Sequence, residues 1–216
     1  MSRTFQKPLF PRKSPETSLK KYFDDFFLKV CCASEKYTAE FCIAHPEILC
    51  NTRVFASGKA AEAMLSGIDK HLCENTEFMA IGLSGFWAKH FKHLYGTSLA
   101  GSHPIPDSRS FEATRRAVNF IEQGLKNKNL LVLISGGTSA LLSQPILPIT
   151  EAEKTRIHEK LVYSGLSIEA INRVRRRLSA VKGGRLLRKS LQTHQTVNLL
   201  AICDVSSQKF YDIGSG

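Results

Sequence analysis

Residues 127–142 read NKNLLVLISGGTSALL, and this stretch decides the fold. Asn127-Lys128-Asn129 is a polar turn. Leu130 to Ile134 is then apolar without alternation. A strand alternating apolar and polar residues has one wet face, whereas an unbroken apolar strand is covered on both, as in a parallel sheet. Ser135-Gly136-Gly137 breaks the run, and Thr138-Ser-Ala-Leu-Leu142 starts a helix. Strand, glycine turn and helix start form half of a βαβ unit.

The same grammar recurs on either side. Thr52 to Ser57 is a β-prone run that ends at Gly58 and leads into the helix-like Lys59-Ala-Ala-Glu-Ala-Met-Leu65. Phe78 to Leu83 is a second candidate strand, and Thr196 to Cys203 is a buried-looking one that ends at Asp204. Helices are expected between them. One is capped at Asp107 or Ser108 and carries Phe111, Thr114, Val118, Ile121 and Leu125. Another begins at Thr150, where Thr-x-x-Glu153 fits a capping box, and ends near Gly165. A third is capped at Ser167. Two more precede the first strand, over residues 15–32 and 36–45. Alternating strands and helices predict an α/β fold, a Rossmann-like three-layer α/β/α domain with a mostly parallel sheet. No linker divides the chain, so residues 15–216 form a single domain after a basic, flexible tail at 1–14.

Composition narrows the function classes. Of 216 residues, 43% are hydrophobic and 23% charged, which excludes a disordered chain and a disulfide miniprotein. The longest aliphatic run, Leu130–Ile134, is far short of the ~20 residues of a membrane-spanning helix. The net charge of +11 creates a field for anions: nucleic acid, an anionic surface, phosphates or carboxylates. The six cysteines include no CxxC pair, which argues against zinc. Without a secretory signal they read as reduced thiols in a cytoplasmic protein.

Three strand ends carry residues suited to chemistry. At Ser57-Gly58-Lys59 a tight turn places a lysine beside backbone N–H groups; a solvated lysine after a turn is the alternative. At Ser135-Gly136-Gly137-Thr138-Ser139 two glycines and three hydroxyls can cradle phosphate oxygens, or the glycines simply serve turn geometry. The stretch fits neither the Walker pattern nor GxGxxG. Asp204 can hold Mg²⁺ or accept a substrate proton, or cap a helix. Residues 172–189 hold eight cations and no acid, reading as a solvated helix face, a phosphate clamp or a nucleic-acid patch. No aromatic residue lies among them, which argues against single-stranded nucleic acid.

Taken in order, these motifs resemble the N-terminal domain of the glycerate 2-kinase family. The matching residues are Ser57-Gly58-Lys59-Ala60-Ala61, His103-Pro104-Ile105-Pro106-Asp107, Ser135 to Leu142, Ser164-Gly165, Ile171-Asn172-Arg173-Val174-Arg175, Leu178-Ser179, Lys182-Gly183-Gly184-Arg185-Leu186 and Asp204-Val205. The resemblance implies transfer of the ATP γ-phosphate to the 2-hydroxyl of D-glycerate, or a related hydroxy acid, with Mg²⁺. It assigns catalytic roles to Lys59, Arg175 and Asp204, with Asp204 also the metal ligand. It assigns ATP binding to Ser135, Gly136, Gly137, Thr138, Ser139, Asn172, Lys182, Gly183, Gly184 and Arg185. Members have also been labelled hydroxypyruvate reductases, but no dinucleotide fingerprint supports hydride transfer here.

The chain departs from the family at Thr138, where members usually carry a third glycine, and after Asp204-Val205, where further acids are usual. Ile213-Gly214-Ser215-Gly216 resembles a family motif cut before its proline, ahead of a second domain that closes the cleft. The expectation is therefore a kinase half-site needing a separately encoded C-terminal domain as partner. The alternatives are a non-catalytic nucleotide or sugar-acid binding remnant and a basic nucleic-acid module.

Overall fold

The computed structural model describes residues 32–85, 90–202 and 210–215. The expected helix over 15–32, the basic tail and Asp204 all lie outside these residues. A helix over residues 32–44 (α1) leads through a 3₁₀ turn at Pro46–Leu49 into the first strand. The order is then β1 (Thr52–Ser57), α2 (Ala61–Asp69), β2 (Thr76–Gly82), β3 (Leu94–Ala100), α3 (Ser108–Glu122), β4 (Asn129–Ile134), α4 (Thr138–Leu141), α5 (Glu151–Val162), α6 (Ile168–Arg177), α7 (Arg185–Thr193) and β5 (Val197–Ala201). Phe210–Ser215 forms short 3₁₀ turns.

All five strands among the described residues run parallel, in the order β3-β2-β1-β4-β5. The unbroken apolar runs behave as a doubly covered sheet requires. Val54 and Ala56 of β1, with Leu131 and Leu133 of β4, pack under Met64, Leu65 and Ile68 of α2. Their neighbours Phe55, Leu130 and Val132 pack on the other face against Ala113, Ala117 and Ile121 of α3. Alternate residues point to opposite faces, so each strand feeds two cores. Phe55, Phe78, Leu131 and Leu133 are essentially fully buried, each contributing about 1.5–3 kcal/mol of transfer free energy.

The helix ends follow the expected side-chain chemistry. Asp107 caps α3 by accepting the N–H groups of Arg109 and Ser110. Thr150 and Glu153 form the reciprocal capping box of α5, and Ser167 caps α6. Three details differ from the sequence reading. Leu125 lies beyond the end of α3 and is 53% exposed, because the helix stops at Glu122 and the chain turns towards β4. The helix expected to end near Gly165 stops at Val162. β3 has no counterpart in the sequence reading, since its Leu94-Tyr-Gly-Thr-Ser-Leu-Ala100 mixes glycine and polar residues on an edge.

Candidate anion-binding cleft

β1 leads to β2 on one side of the sheet, and the chain later returns to place β4 on the other. Ligands in open α/β sheets bind at such a switch point, outside the carboxyl ends of the strands. The glycine turns after β1 and β4 lie there side by side, Ser57 being opposite Ile134 in the register. They are tied together four ways, the first being the Ser135 N–H donating to the Ser57 carbonyl at 3.0 Å. The Lys59 N–H donates to the Gly136 carbonyl at 2.8 Å, and the Ala60 N–H to Ser135 Oγ at 3.0 Å. Thr138 Oγ1 lies 2.8 Å from both the Ser57 and the Ser135 carbonyl oxygens.

Glycine is required at two points of this junction. Gly58 has φ +130°, and a Cβ there would stand 2.1 Å from Ser135 Oγ. Gly137 has φ +89°, and a Cβ would stand 2.9 Å from Lys59 Cγ and 3.3 Å from His103 Cδ2. Thr138, the departure from the family pattern, turns inward and does not line the cleft described below. Its side chain is buried and its hydroxyl serves the two strand ends.

Outside the turns lies an open cleft of about 190 Å³. Lys59, Gly136, Gly137 and Ser139 line it from the sheet side, His103 and Pro104 from the loop before α3, His158 from α5, and Asn172 and Arg175 from α6. Ile213 and Gly214 complete it. Ser215 Oγ donates to Asn172 Oδ1 at 2.8 Å, so Ser139 Oγ donates to Ser215 Oγ at 2.6 Å.

The electrostatics are one-sided. Arg175 Nη2 lies 3.0 Å from His158 Nε2, and Lys154 and Lys182 stand behind the pair. Lys154 Nζ donates to the Leu178 carbonyl. Lys182, only 3% exposed, donates to the carbonyls of Leu142 and Gly214. Among the described residues, none of Lys154, Arg175 and Lys182 pairs with a carboxylate. Burial, reinforced by Arg175, pushes Lys154 down to about 8. Burial, then Lys154 and Arg175, holds Lys182 well below the usual lysine range. Burial, then Arg175 and Lys182, pushes His158 down to about 3. Burial also lowers Arg175, whose Nε is buried without a partner. Cations gathered without counter-charge form a site for an anion.

The sequence-derived residues therefore divide. Lys59, Gly136, Gly137, Ser139, Asn172 and Arg175 meet in the cleft. Ser135 and Thr138 lie just beneath it. Lys182 braces its floor from inside. Gly183 and Gly184 are exposed on the turn into α7, and Arg185 turns back to the Arg176 and Lys182 carbonyls. The basic run of 172–189 is thus not a continuous outward face. His158 was not singled out from sequence, and Ser215 was named only within the Ile213–Gly216 motif, with no role given to it. Among the described residues, no group of three or more His, Cys, Asp or Glu is placed to hold a metal, and no helix is long and apolar enough to cross a membrane.

Fold and cleft define a doubly wound α/β protein with a basic cleft at its switch point. The chain belongs to the family described as a domain of unknown function, DUF4147, which matches residues 25–216 and is the N-terminal domain of the glycerate kinase family. It is 34% identical over 167 residues to a protein of Agrobacterium vitis that bears the name of a hydroxypyruvate reductase, covering 76% of this chain and 41% of that protein. It is 32% identical over 170 residues to a glycerate 2-kinase of Pyrococcus horikoshii, covering 79% of this chain and 37% of the relative. The crystal structure of a glycerate kinase from Thermotoga maritima superposes with a TM-score of 0.67 at 28% identity, over 94% of this chain and 48% of that one. The chain thus spans less than half the length of these relatives.

Proposed function

We propose that this domain supplies the anion-binding half of a glycerate 2-kinase site, where the γ-phosphate of ATP passes to the 2-hydroxyl of D-glycerate. The observation that carries the reading is the cleft itself: Lys59 and Arg175 at a switch point, among further cations, with no described carboxylate to neutralise them. Phosphoryl transfer depends on positioning and on positive charge against the equatorial oxygens. Lys59, exposed on the cleft wall, neutralises a phosphate. Arg175, fixed at one end by His158, presents a planar fork that suits a carboxylate or phosphate. Gly136 admits an oxygen close to the backbone because it carries no Cβ.

The described lining does not fit a divalent cation, since it offers cations and hydroxyls rather than carboxylates. Asp204, the ligand expected for Mg²⁺, is outside the described residues. Hydride transfer has no support in a strand-turn-helix that lacks the dinucleotide glycine pattern.

The test is a thermal-shift titration of the purified chain with D-glycerate, Mg·ATP and both, for wild type and Lys59→Ala. A ligand at about 100 times its Kd adds roughly 2.7 kcal/mol, or about 5–10 °C for a domain of this size. A rise with either ligand that Lys59→Ala abolishes supports the reading. No rise with any of them, from a chain that melts cooperatively, refutes it.

A further inference from the structure

The cleft raises a question that its cations alone do not answer: what aims Arg175 without cancelling its charge. We propose that His158 is a positioning residue, strung as its Nδ1–H tautomer between the Pro104 carbonyl and the Arg175 guanidinium, which it directs into the cleft. The inference rests on the reading of the cleft as an anion site.

The tautomer follows from donor counting. A guanidinium has only donors. Arg175 Nη2 lies 3.0 Å from His158 Nε2, so Nε2 is the bare, accepting nitrogen. The proton then sits on Nδ1, and the ring's bond to the Pro104 carbonyl has a donor. The imidazole is 4% exposed, so neither bond competes with bulk water. α5 is fixed against the same loop a turn earlier, where Thr155 Oγ1 donates to the Pro106 carbonyl at 3.1 Å. Arg175 has little else to hold it. Its Nη1 contact with Asn172 Oδ1 is 3.5 Å and its Nε has no partner.

The groups facing the imidazole explain why it stays neutral. Arg175 approaches from α6, Lys182 from the turn after α6, and Lys154 from one turn back on α5. No carboxylate among the described residues opposes them. A carboxylate at 158 would orient Arg175 equally well but would neutralise it, and the ligand would meet half the charge. A neutral ring accepts the guanidinium's hydrogen bond and leaves its full charge for the ligand. Orientation and charge are thereby separated.

The separation makes an ordered prediction, with inorganic phosphate as the probe and the full 216-residue chain as the protein. Phosphate affinity is measured by calorimetry at pH 7.5 for wild type, His158→Gln, His158→Ala and His158→Asp. Gln keeps a neutral acceptor at the same reach and stays within about threefold of wild type. Ala frees Arg175, and Asp neutralises it; Asp loses about tenfold or more, a step of roughly 1.4 kcal/mol. A purely structural role would rank the variants by melting temperature instead. Asp binding as tightly as Gln overturns the proposal. So does a wild-type chain that binds no phosphate.

Should the variants fail to fold, the wild-type chain still decides. Two-bond ¹H–¹⁵N spectra are expected to show His158 as the Nδ1–H tautomer from pH 8 to 5, and an Nε2–H ring or titration near 6.5 overturns the assignment. Phosphate binding that follows the predicted order, without any response to D-glycerate or Mg·ATP, sinks the kinase reading and leaves His158 in its role.

Discussion

Gly137→Ala is the sharpest probe of how the cleft is built, because one methyl group tests two separable effects. The first is conformational. Gly137 has φ +89°, and holding an L-residue in left-handed backbone costs about 1–2 kcal/mol. The second is a contact. The new Cβ would stand 2.9 Å from Lys59 Cγ and 3.2 Å from Lys59 Cε, so the flexible lysine stem must swing away from the turn. The backbone term alone lowers the melting midpoint by about 2–8 °C in a domain of this size. The displaced stem moves the ammonium and weakens anion binding. A double-mutant cycle with Lys59→Ala separates the two. In the Lys59→Ala background the conformational loss persists, while the alanine no longer affects phosphate affinity. Melting curves and calorimetry on the four proteins measure both. A Gly137→Ala chain that melts and binds like wild type would refute the account, as would an effect on binding that survives removal of the lysine.

Three further outcomes are expected. His158 takes up its proton near pH 3 when folded against 6.5 ordinarily; the unfolded chain binds more protons between those values, so stability rises with pH across that window. Urea titrations should show wild type losing about 2 kcal/mol relative to His158→Gln on going from pH 8 to pH 5, and parallel curves for the two would contradict it. Glu62 is the opposite case: burial raises its carboxyl to about 8, and its Oε1 has no partner. The folded chain then binds more protons between 4.5 and 8, so Glu62→Gln should add about 1–3 kcal/mol at pH 8 and little at pH 4.5, checked by the same titrations. Thr138→Val keeps the shape but deletes the hydroxyl that serves the Ser57 and Ser135 carbonyls; the Ser57 oxygen keeps the Ser135 N–H, so the loss falls on the Ser135 carbonyl and should cost about 1–3 kcal/mol, with phosphate affinity, read by calorimetry, nearly unchanged.

Much of this fold was legible because its decisive strands announce themselves locally. Leu130 to Ile134 could only be a doubly covered strand, and Gly58 and Gly137 could be placed at strand ends because a chain turning so sharply needs them. The capping residues Asp107, Thr150 and Ser167 were readable for the same reason, each acting within three residues of itself. β3 was not, because Gly96 interrupts its pattern. That glycine is explained only by its neighbour: a Cβ there would stand 1.9 Å from the Phe78 carbonyl oxygen on β2. The cleft was legible only in part. Lys59, Gly136 and Arg175 sit in motifs, but His158 gains its meaning from Pro104 and Arg175, far away in sequence. The inward turn of Lys182 depends on Leu142 and Gly214 accepting from it. Long-range partnerships leave no local trace.

The cleft draws on residues from Lys59 to Ser215, and this has a consequence for the timing of synthesis. A ribosome delivers β1, β2 and β3 first, and these can pair in order as they emerge. The turn after β4 follows, then His158 and Arg175. Yet Lys182 has no Gly214 carbonyl to bond, and Asn172 no Ser215 hydroxyl, until residues 214 and 215 have left the exit tunnel. The nascent protein therefore pairs its first strands early and frames its cleft only after β5 has followed. The emergence of residues 214 and 215, rather than the pairing of the first strands, marks the moment at which a ligand can first help to hold the domain together.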